Sequence, residues 1–530
     1  MTVPSLSPMQ DYALTVDRFL DHGAKWHAGA RVITAGREED AAVGYAALRD
    51  RANRLSGALL SLGLESGERI ATLAWNTQNH VEVWYAAMGA GLVCHTLNPR
   101  LTVAQLGAMI IEAGDRVLAV GAGLGMLAEA LVSACPCLEY VILLDGERPL
   151  APGGRIKAVP LDAFLSTRGA ATAWGRFDER SLAGLCFTSG TTGAPKGVAY
   201  THRSNYLHTL RLLQADAMAL TGADNILVAV PMFHANAWGL PFAAPAVGAS
   251  LVLPGRVTDG PTLMGLINRH RVTVAVGVPT VWIGLLDHLD AVGGETPSLE
   301  RVIIGGSSCP EALLHRMESR LGVTVQTSWG MTELSPLGTI SPRAEGPGGA
   351  RGAGRPPVGV DLLLTDAGGA PLPDQRNALG HLKVRGQSAV DHYFGGTGSA
   401  LDADGWFDTG DLAIIDDAGN LTLAGRSKDL IKSGGEWINP VEIEEIVGAL
   451  PAVGRVAVIG RPDPNCGERP LMVIEPGQGS DIDDGTLKAS LKGRVADWWI
   501  PDRIVRVEAM PLAATGKINK TQLRATYGGA

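Results

Sequence analysis

The chain has 530 residues, a length typical of several domains at roughly 150 residues each. It carries 45 Lys and Arg against 54 Asp and Glu, and the resulting net charge of −9, without a long basic run, argues against nucleic acid as a partner. Hydrophobic residues make up 46% and charged residues 19%, a composition that excludes a chain disordered throughout.

Helix-like and strand-like segments alternate through the first 340 residues. The apolar spacing predicts a helix over 45–62. Short apolar runs predict strands at 69–74, 116–120, 225–230, 272–276 and 301–304. Such alternation indicates an α/β fold in which doubly wound parallel sheets are covered by helices on both faces.

The most apolar stretch, Ala237 to Gly255, contains three prolines. Proline interrupts a helix in a way that lipid cannot compensate, so we predict a buried helix leading into a strand and no transmembrane segment. The sequence MTVPSLSPMQDY at the N-terminus has neither a basic segment nor an apolar core, and the six cysteines are scattered. Both features are typical of a cytoplasmic protein with reduced thiols.

The composition and patterning of the sequence change near residue 345. The turn-rich GPGGARGAGRPP is followed by short apolar runs at 361–364, 382–384 and 412–415, which predict a small β-rich subdomain over 345–425. Beyond it, the sequence predicts helices at 440–450 and 485–497 and strands at 456–459 and 471–474. We therefore expect an N-terminal domain of 1–425, a joint at 426–429 and a C-terminal α+β domain of 430–530.

The segment LCFTSGTTGAPKG, from Leu185 to Gly197, has the composition of a phosphate-binding loop. Glycines let backbone N–H groups approach phosphate oxygens, hydroxyls add donors and lysine adds charge. The candidate residues are Thr188, Ser189, Gly190, Thr191, Thr192, Gly193 and Lys196. The loop is not a Walker A loop, because Gly197 follows Lys196 where that motif has Ser or Thr.

Two further loops follow apolar strands, and ligands collect at the carboxyl ends of parallel strands. One is GVPTVW over 277–282 and the other is GGSSCP over 305–310. A third loop, GAGLG over 121–125, has Met126 where a dinucleotide-binding motif needs glycine, so we expect no nicotinamide site there.

The phosphate loop strongly resembles that of AMP-forming acyl-CoA synthetases, in the adenylate-forming superfamily. Further matches follow in the family's order from about residue 40 to residue 520. They are most similar to medium- and long-chain fatty-acid-CoA ligases and 3-methylmercaptopropionyl-CoA ligases. The resemblance implies ATP, Mg²⁺ and coenzyme A as ligands, a small-molecule carboxylic acid as substrate, and a mobile C-terminal catalytic domain.

The resemblance also implies a nucleotide site. In TSWGMTE, Thr332 would bind the α-phosphate, and Glu333, with Thr191, would hold magnesium; taken alone, Thr332 would be read as a helix N-cap. Asp411 and Arg426 match the residues that bind the ribose. The remaining nucleotide-binding candidates in these motifs are Gly305, Gly306, Ser307, Ser328, Trp329, Gly330 and Met331.

For the acid, the resemblance places His234 at the carboxylate and Trp238 as a gate of the acyl tunnel. Taken alone, His234 would more commonly be a buried structural histidine. The other pocket candidates are Val278, Pro279, Trp282 and Gly306. Lys517, in PLAATGKINK, matches the lysine that bridges the carboxylate and the α-phosphate during adenylation.

The remaining matches concern the joint between the domains. Lys428 matches the hinge, and the segment with Lys432, Gly434 and Gly435 matches a loop that swings in for thioester formation. The sequence departs from the pattern at His381, where many relatives have Glu.

Several alternatives stay open at this stage. The acid could be a medium- or long-chain fatty acid, or 3-methylmercaptopropionate or another short acid. Within the superfamily, an enzyme that loads a carrier protein or a luciferase-like oxygenase is a rival, and so is a non-enzymatic nucleotide-binding regulator. The last should have lost Lys517 or Glu333, and both are present. The sequence is also compatible with a homodimer.

Overall fold

A computed structural model describes residues 9–10, 12–146, 156, 158–188, 195–307, 309–343, 346, 348, 352–433, 436–477, 479–480, 482–513 and 517–529. They form two compact units. The first is drawn from Met1–Phe187, Gly197–Leu213 and Leu220–Arg256. The second is drawn from Thr188–Lys196, Gln214–Ala219 and Val257–Ala530.

The first part of the chain, up to Arg256, contains eight helices and eleven strands among its described residues. The helices are α1 (Asp17–Trp26), α2 (Tyr45–Leu60), α3 (Gln78–Gly89), α4 (Val103–Ala113), α5 (Gly125–Ala134), α6 (Leu161–Arg168), α7 (His202–Leu212) and α8 (Leu240–Val247). The strands are β1 (Arg31–Thr34), β2 (Ala41–Gly44), β3 (Arg69–Leu73), β4 (Val93–Thr96), β5 (Val117–Val120), β6 (Tyr140–Leu143), β7 (Ala158–Pro160), β8 (Leu182–Thr188), β9 (Lys196–Thr201), β10 (Asn225–Val228) and β11 (Ser250–Leu253).

Two sheets organise this first part. Seven strands run in the order β7-β6-β5-β3-β4-β8-β9, and the pairs from β7 to β8 are parallel. In the other sheet β10, β11 and β1 are parallel and β2 is antiparallel to β1. Parallel strands are buried on both faces and therefore read as continuous apolar runs, as in β5, whose four residues are all buried and whose Leu118 and Val120 pack with α4 and α5.

The second part of the chain, from Val257 on, contains thirteen strands and six helices among its described residues. The helices are α9 (Gly260–Arg269), α10 (Pro279–Val292), α11 (Glu311–Leu321), α12 (Pro440–Gly448), α13 (Asp484–Leu491) and α14 (Lys520–Tyr527). The strands are β12 (Val274–Gly277), β13 (Arg301–Ile304), β14 (Thr324–Gly330), β15 (Leu337–Ile340), β16 (Val360–Thr365), β17 (Gly380–Gly386), β18 (Phe407–Ile415), β19 (Leu421–Arg426), β20 (Ile431–Ser433), β21 (Glu436–Ile438), β22 (Val453–Asp463), β23 (Gly467–Pro476) and β24 (Arg503–Arg506).

Three strand arrangements follow one another in this second part. Strands β12, β13 and β14 are parallel, with β15 antiparallel to β14. Strands β16 to β19 form an antiparallel four-stranded sheet in chain order. The last sheet has the order β21-β20-β23-β22, with β24 parallel to β23. Two apolar clusters pack against this sheet: the first contains residues of α12 and α13, and the second contains residues of α14.

The predicted fold class is confirmed: helices alternate with parallel strands, a small antiparallel sheet follows, and the chain ends in an α+β part. The apolar stretch from Ala237 forms helix α8 followed by strand β11, as predicted. Within the described ranges, no helix is both long enough and apolar enough to cross a membrane. The joint predicted at 426–429 lies between β19 and β20, and its role as a domain boundary stays a prediction.

The helix predicted over 485–497 is wrong in its extent. Helix α13 ends at Leu491, and Gly493 follows with a φ of +71°. Glycine adopts this left-handed conformation without a steric penalty and so reverses the chain direction soon after the last helical turn.

Buried Asp17, the first residue of α1, makes the stability of the fold depend on pH. It has no exposed surface, and burial raises its pKa from 3.8 to about 6, although Thr15 and Arg18 oppose the rise. The folded protein therefore holds this proton more tightly than the unfolded chain does. The stability contributed by the proton is complete below pH 4 and is lost as the pH rises through 6.

We expect Asp17→Asn, which mimics the protonated side chain, to unfold at a higher temperature than the wild type at pH 8. The gain is up to about 3 kcal/mol at pH 8 and close to zero at pH 4. Thermal unfolding at both pH values measures it. Asp21→Asn is the matched control on the same helix, because Asp21 is partly exposed and pairs with Arg49 at 2.9 Å. Equal effects of Asp17→Asn at the two pH values would contradict this account.

Candidate active site

Two of the predicted nucleotide-binding loops meet at one edge of the parallel strands β13 and β14. Ile304 and Thr327 are paired across the two strands, and the Ser328 hydroxyl donates to the Ile304 carbonyl at 3.1 Å. Gly306 follows Ile304 in the left-handed region, with a φ of +80°, where glycine is the residue that fits without strain. The loop that starts at Gly305 and the motif from Ser328 onward therefore lie side by side at the carboxyl ends of the strands.

Asp411 is the centre of a buried polar cluster. It is paired with Arg426 across β18 and β19, and the Arg426 Nε lies 2.8 Å from one carboxylate oxygen. The indole N–H of Trp329 donates to the other oxygen at 3.0 Å. Burial raises the pKa of Asp411, whereas Arg426, the Trp329 hydrogen bond and Lys517 lower it. These contacts fix the direction of both carboxylate oxygens.

Glu333 carries the second carboxylate of the cluster. It is 8% exposed, and the hydroxyl of Tyr393 donates to its Oε1 at 3.1 Å. The Lys196 ammonium lies 4.7 Å from the centre of the Tyr393 ring. Burial raises the pKa of Glu333, and the Tyr393 hydrogen bond and the positive charges of Arg426 and Lys196 oppose this rise. A buried anion with cations around it suits a site for metal-bound phosphates.

Sequence reasoning missed Tyr393. Tyr393 lies between the motifs. Val390, three residues earlier, donates its N–H to the Glu333 carbonyl at 2.8 Å, and this contact brings Tyr393 to the Glu333 carboxylate. The nearest sequence signal was an aromatic residue in a Gly-rich turn, DHYFGG, which is compatible with many other roles.

Thr332 is buried and starts a short 3₁₀ turn that ends at Leu334. Its N-cap is Met331, without a side-chain capping bond. The alternative in which Thr332 itself caps the helix is therefore wrong.

Gly330, two residues before Thr332, is close to the Pro336 carbonyl: an added Cβ would lie 2.2 Å from that oxygen. Glycine at 330 thus permits the tight turn that follows β14.

Lys517 joins the cluster from the C-terminal part of the chain. Its backbone carbonyl accepts from the Ala513 N–H at 2.7 Å in a hairpin. The residue as a whole is exposed, but the protein atoms packed around its side chain lower the pKa of the ammonium. Arg426 lowers it further and Asp411 opposes the change. The charges of Asp411 and Arg426 therefore both act on the Lys517 ammonium.

The predicted hinge at Lys428 lies between two ion pairs. Before it, Arg426 pairs with Asp411. After it, Asp429 pairs with Arg524 of α14 at 2.6 Å. Lys428 itself is exposed. His381, the departure from the family pattern, has its Nδ1 3.0 Å from the Ser427 hydroxyl next to the hinge.

The predicted acid-site residues belong to both units. His234 is half-buried and Trp238 is 7% exposed, and both lie in a turn of the first unit. Asn76, which sequence reasoning missed, fixes the segment that precedes this turn. Its side chain accepts from the Met232 N–H at 2.7 Å and donates to the Val230 carbonyl at 2.7 Å. In the second unit, Pro279 and Trp282 are buried on α10 and Val278 precedes them half-buried.

Some of the predicted residues lie outside the described part of the chain. These are Ser189, Gly190, Thr191, Thr192, Gly193, Gly434 and Gly435. The neighbouring Thr188 ends β8 and Lys196 starts β9. Lys432 lies on β20, with its backbone N–H donating to Glu468 at 3.0 Å and its ammonium 5.5 Å from the Trp437 ring.

The family model described as "AMP-binding enzyme" matches residues 20–394, and the model described as "AMP-binding enzyme C-terminal domain" matches residues 442–517. The chain is 42% identical to the 3-methylmercaptopropionyl-CoA ligase of Ruegeria pomeroyi, with 98% of this chain and 99% of that protein covered. It is 38% identical to the medium-chain-fatty-acid–CoA ligase of Ectopseudomonas oleovorans, with 99% and 98% covered.

The fold is also similar to that of solved structures. ATP-bound MatB from Rhodopseudomonas palustris matches with a TM-score of 0.82 and 26% identity, over 97% of this chain and 99% of that one.

Proposed function

The chain belongs to the family of AMP-binding enzymes, and from that premise we propose that its substrate is a medium- or long-chain fatty acid. The enzyme is an AMP-forming acid–thiol ligase: ATP and a carboxylic acid give acyl-AMP and pyrophosphate, and CoA then displaces AMP. The observation that carries the choice of acid is the nearly buried Trp238 in the turn just before the apolar helix α8.

On the nucleotide side, we assign Asp411 to the two ribose hydroxyls. Its oxygens are already oriented by Trp329 and Arg426, and a fixed carboxylate accepts hydrogen bonds from both hydroxyls of a cis-diol. We also assign Arg426, the ion-pair partner of Asp411, to the ribose. The loop from Gly305 to Ser307, with the neighbouring backbone of Ser328, Gly330 and Met331, is assigned to the adenine because its glycines allow a flat base to approach.

For the phosphates, we assign Thr332 to the α-phosphate and Lys196, with Thr188 and the loop between them, to the phosphates beyond it. Glu333 fits magnesium, because a buried carboxylate oxygen is the ligand this hard cation prefers. We propose Thr191 as the second residue that holds the magnesium. Held by Glu333 and Thr191, the ion would supply positive charge that stabilises the phosphates during attack.

For the chemical step, we assign His234 to the substrate carboxylate and Lys517 to the gap between that carboxylate and the α-phosphate. Two anions repel each other as the carboxylate approaches phosphorus, and an ammonium between them stabilises the charge of the transition state. Lys517 is suited to this role because the charges of the proposed ribose-binding residues, Asp411 and Arg426, act on its ammonium.

For the second step, we propose that the C-terminal domain turns about Lys428. The two ion pairs on either side of Lys428 tie Arg426 to the four-stranded sheet and Asp429 to α14, so that the exposed Lys428 between them is placed to absorb the change in backbone angles. Lys432, Gly434 and Gly435 would then move in for thioester formation. The domain boundary at 426–429 is part of this proposal.

The second candidate acid is 3-methylmercaptopropionate. It is favoured by the 42% identity to a ligase named for that product. Enzyme, ATP and CoA incubated with straight-chain acids of increasing length, 3-methylmercaptopropionate and aryl acids, with AMP release and acyl-CoA measured, would separate the two candidates. AMP release without free acyl-CoA would point instead to loading of a carrier protein.

The same experiment with Trp238→Ala distinguishes two roles for the indole. If Trp238 is a gate that moves aside, we expect the wild type to accept acids of about eight carbons or more, and the variant to lose packing without gaining longer substrates. If Trp238 is the fixed floor of a short pocket, longer acids gain in kcat/KM by about 0.8 kcal/mol per newly buried CH₂ in the variant.

We favour the gate model. A wild-type profile that peaks at propionate-sized acids, with longer acids accepted only by Trp238→Ala, would contradict it and favour 3-methylmercaptopropionate. Leu210→Ala is the control for apolar truncation, because Leu210 is 46% exposed.

We also propose a cytoplasmic location, which is supported by six cysteines that form no disulfide among the described residues. A homodimer stays a prediction, and sedimentation of the purified protein would test it.

A further inference from the structure

The turn that carries Trp238 has an unusual backbone. Ala235, Asn236, Ala237 and Trp238 have positive φ angles of 43°, 54°, 46° and 54°, and Gly239 follows at 78°. Residues with a Cβ avoid this left-handed region for steric reasons, and they enter it as single residues, seldom in runs. A buried run of four such residues persists only if neighbouring groups hold it in place.

The thiol of Cys186 contacts this turn. Cys186 lies on β8, and its Sγ is 3.6 Å from the Oδ1 of Asn236 and 3.1 Å from the Thr96 hydroxyl. A single buried side chain thus contacts Asn236, the second left-handed residue of the turn.

Asn236 is suited to this position in two ways. Asparagine tolerates the left-handed conformation better than most residues do, and its side chain reaches the Cys186 thiol. Asn236 is 1% exposed, and its Nδ2 has no hydrogen-bond partner among the described residues. An unpaired buried amide destabilises the fold, so packing alone gives no reason for asparagine here.

The other end of the turn is also held. An added Cβ at Gly239 would lie 3.0 Å from the His208 ring, and the Tyr85 hydroxyl donates to the Pro241 carbonyl at 2.9 Å. Trp238 lies between these two anchors. Its direction therefore depends on the Asn236–Cys186 contact on one side and on the start of α8 on the other.

We propose that Asn236, anchored on Cys186, is a positioning residue that sets the direction of Trp238 and thereby the length of acid the enzyme accepts. The claim about acid length rests on the proposed function, in which Trp238 limits the acyl site. The claim about direction rests on the geometry of the turn alone.

The test compares three substitutions at the anchor. Asn236→Gly keeps the left-handed backbone accessible but removes the anchor, Asn236→Ala removes the anchor and makes the left-handed backbone less favourable, and Cys186→Ala removes the anchor from the other side. For each variant, kcat/KM is measured for dodecanoate and for butyrate, together with the KM for ATP. We expect all three to change the dodecanoate-to-butyrate ratio by roughly tenfold, as the loss of a buried hydrogen bond predicts, with the KM for ATP within about twofold of wild type.

Asn53→Ala is the matched control. Asn53 is also a buried asparagine of the first unit, and it exchanges hydrogen bonds of 2.7 and 3.1 Å with the backbone of Thr172. It should lower the melting temperature without changing the acid ratio. An unchanged ratio in Asn236→Gly and Cys186→Ala, or an equal loss with both acids together with a raised KM for ATP, would overturn the claim about acid length.

The direction of Trp238 is tested without activity. In protein labelled with 5-fluorotryptophan, the resonance missing from Trp238→Phe identifies Trp238 in the ¹⁹F spectrum. We expect this resonance to shift or broaden in Asn236→Gly and Cys186→Ala and to stay in place in Asn53→Ala. If it stays in place in all three, the positioning role is wrong. If the wild type activates none of the acids, the proposed function fails while this spectrum still decides the role of Asn236.

Discussion

Lys517→Ala is expected to slow acyl-AMP formation by roughly 10²-fold or more, the loss that follows removal of one transition-state electrostatic partner. Thioester formation from supplied acyl-AMP and CoA should stay near normal, because the carboxylate has already been joined to phosphorus in that half-reaction. Pyrophosphate exchange measures the first step, and acyl-CoA formed from synthetic acyl-AMP measures the second.

The control for this experiment is Lys492→Ala. Lys492 is an exposed lysine after α13 and has no assigned role, so both half-reactions should keep their wild-type rates. An equal loss of both half-reactions in Lys517→Ala would contradict the assignment, since it would indicate a structural role or a role in binding AMP.

Lys428→Pro is expected to separate the two steps in the opposite sense. Proline fixes φ, so the residue between the Asp411–Arg426 and Asp429–Arg524 pairs could no longer absorb a large backbone change. Pyrophosphate exchange should remain measurable, while CoA transfer should fall by roughly tenfold or more.

The matched variant is Lys428→Ala, which removes the same exposed side chain but leaves φ free. It should retain most of the overall turnover. If Lys428→Pro turns over at the wild-type rate, the domain does not alternate about this residue. If it loses pyrophosphate exchange as well, proline has damaged the first conformation, and the comparison with Lys428→Ala shows whether the side chain or the backbone is responsible.

Much of the fold could be predicted because its signals are local. The apolar runs of β3, β5 and β13 are continuous, as strands buried on both faces require, and they lie where the sequence predicted them. The extent of α13 could not be predicted in the same way. Its apolar spacing continues past Leu491, and the left-handed Gly493, which reads as an ordinary residue in the sequence, changes the chain direction.

Motifs in the sequence indicated the candidate residues, whereas contacts between distant residues left no signal in it. Asp411, Arg426 and Lys517 come from separate motifs; Arg426 pairs with Asp411 at 2.8 Å and both charges act on the Lys517 ammonium, while the roles of the three stay predictions. Tyr393 and Asn76 lie outside the motifs. Asn76 contacts Met232 across 156 positions of the sequence, and no local pattern indicates such a contact. The left-handed run from Ala235 was equally hidden, because alanine and tryptophan give no sign of positive φ.

The central claim is that the acid is activated as an acyl-AMP, and the fate of oxygen tests it most directly. Octanoate labelled with ¹⁸O in both carboxylate oxygens is incubated with the enzyme, ATP, Mg²⁺ and CoA. The products are separated, and their masses are measured by mass spectrometry. Attack of the carboxylate on the α-phosphorus predicts AMP with one ¹⁸O atom, unlabelled pyrophosphate and octanoyl-CoA that keeps the other ¹⁸O atom. Product in the form of ADP with labelled inorganic phosphate, or octanoyl-CoA formed together with unlabelled AMP, would contradict the account.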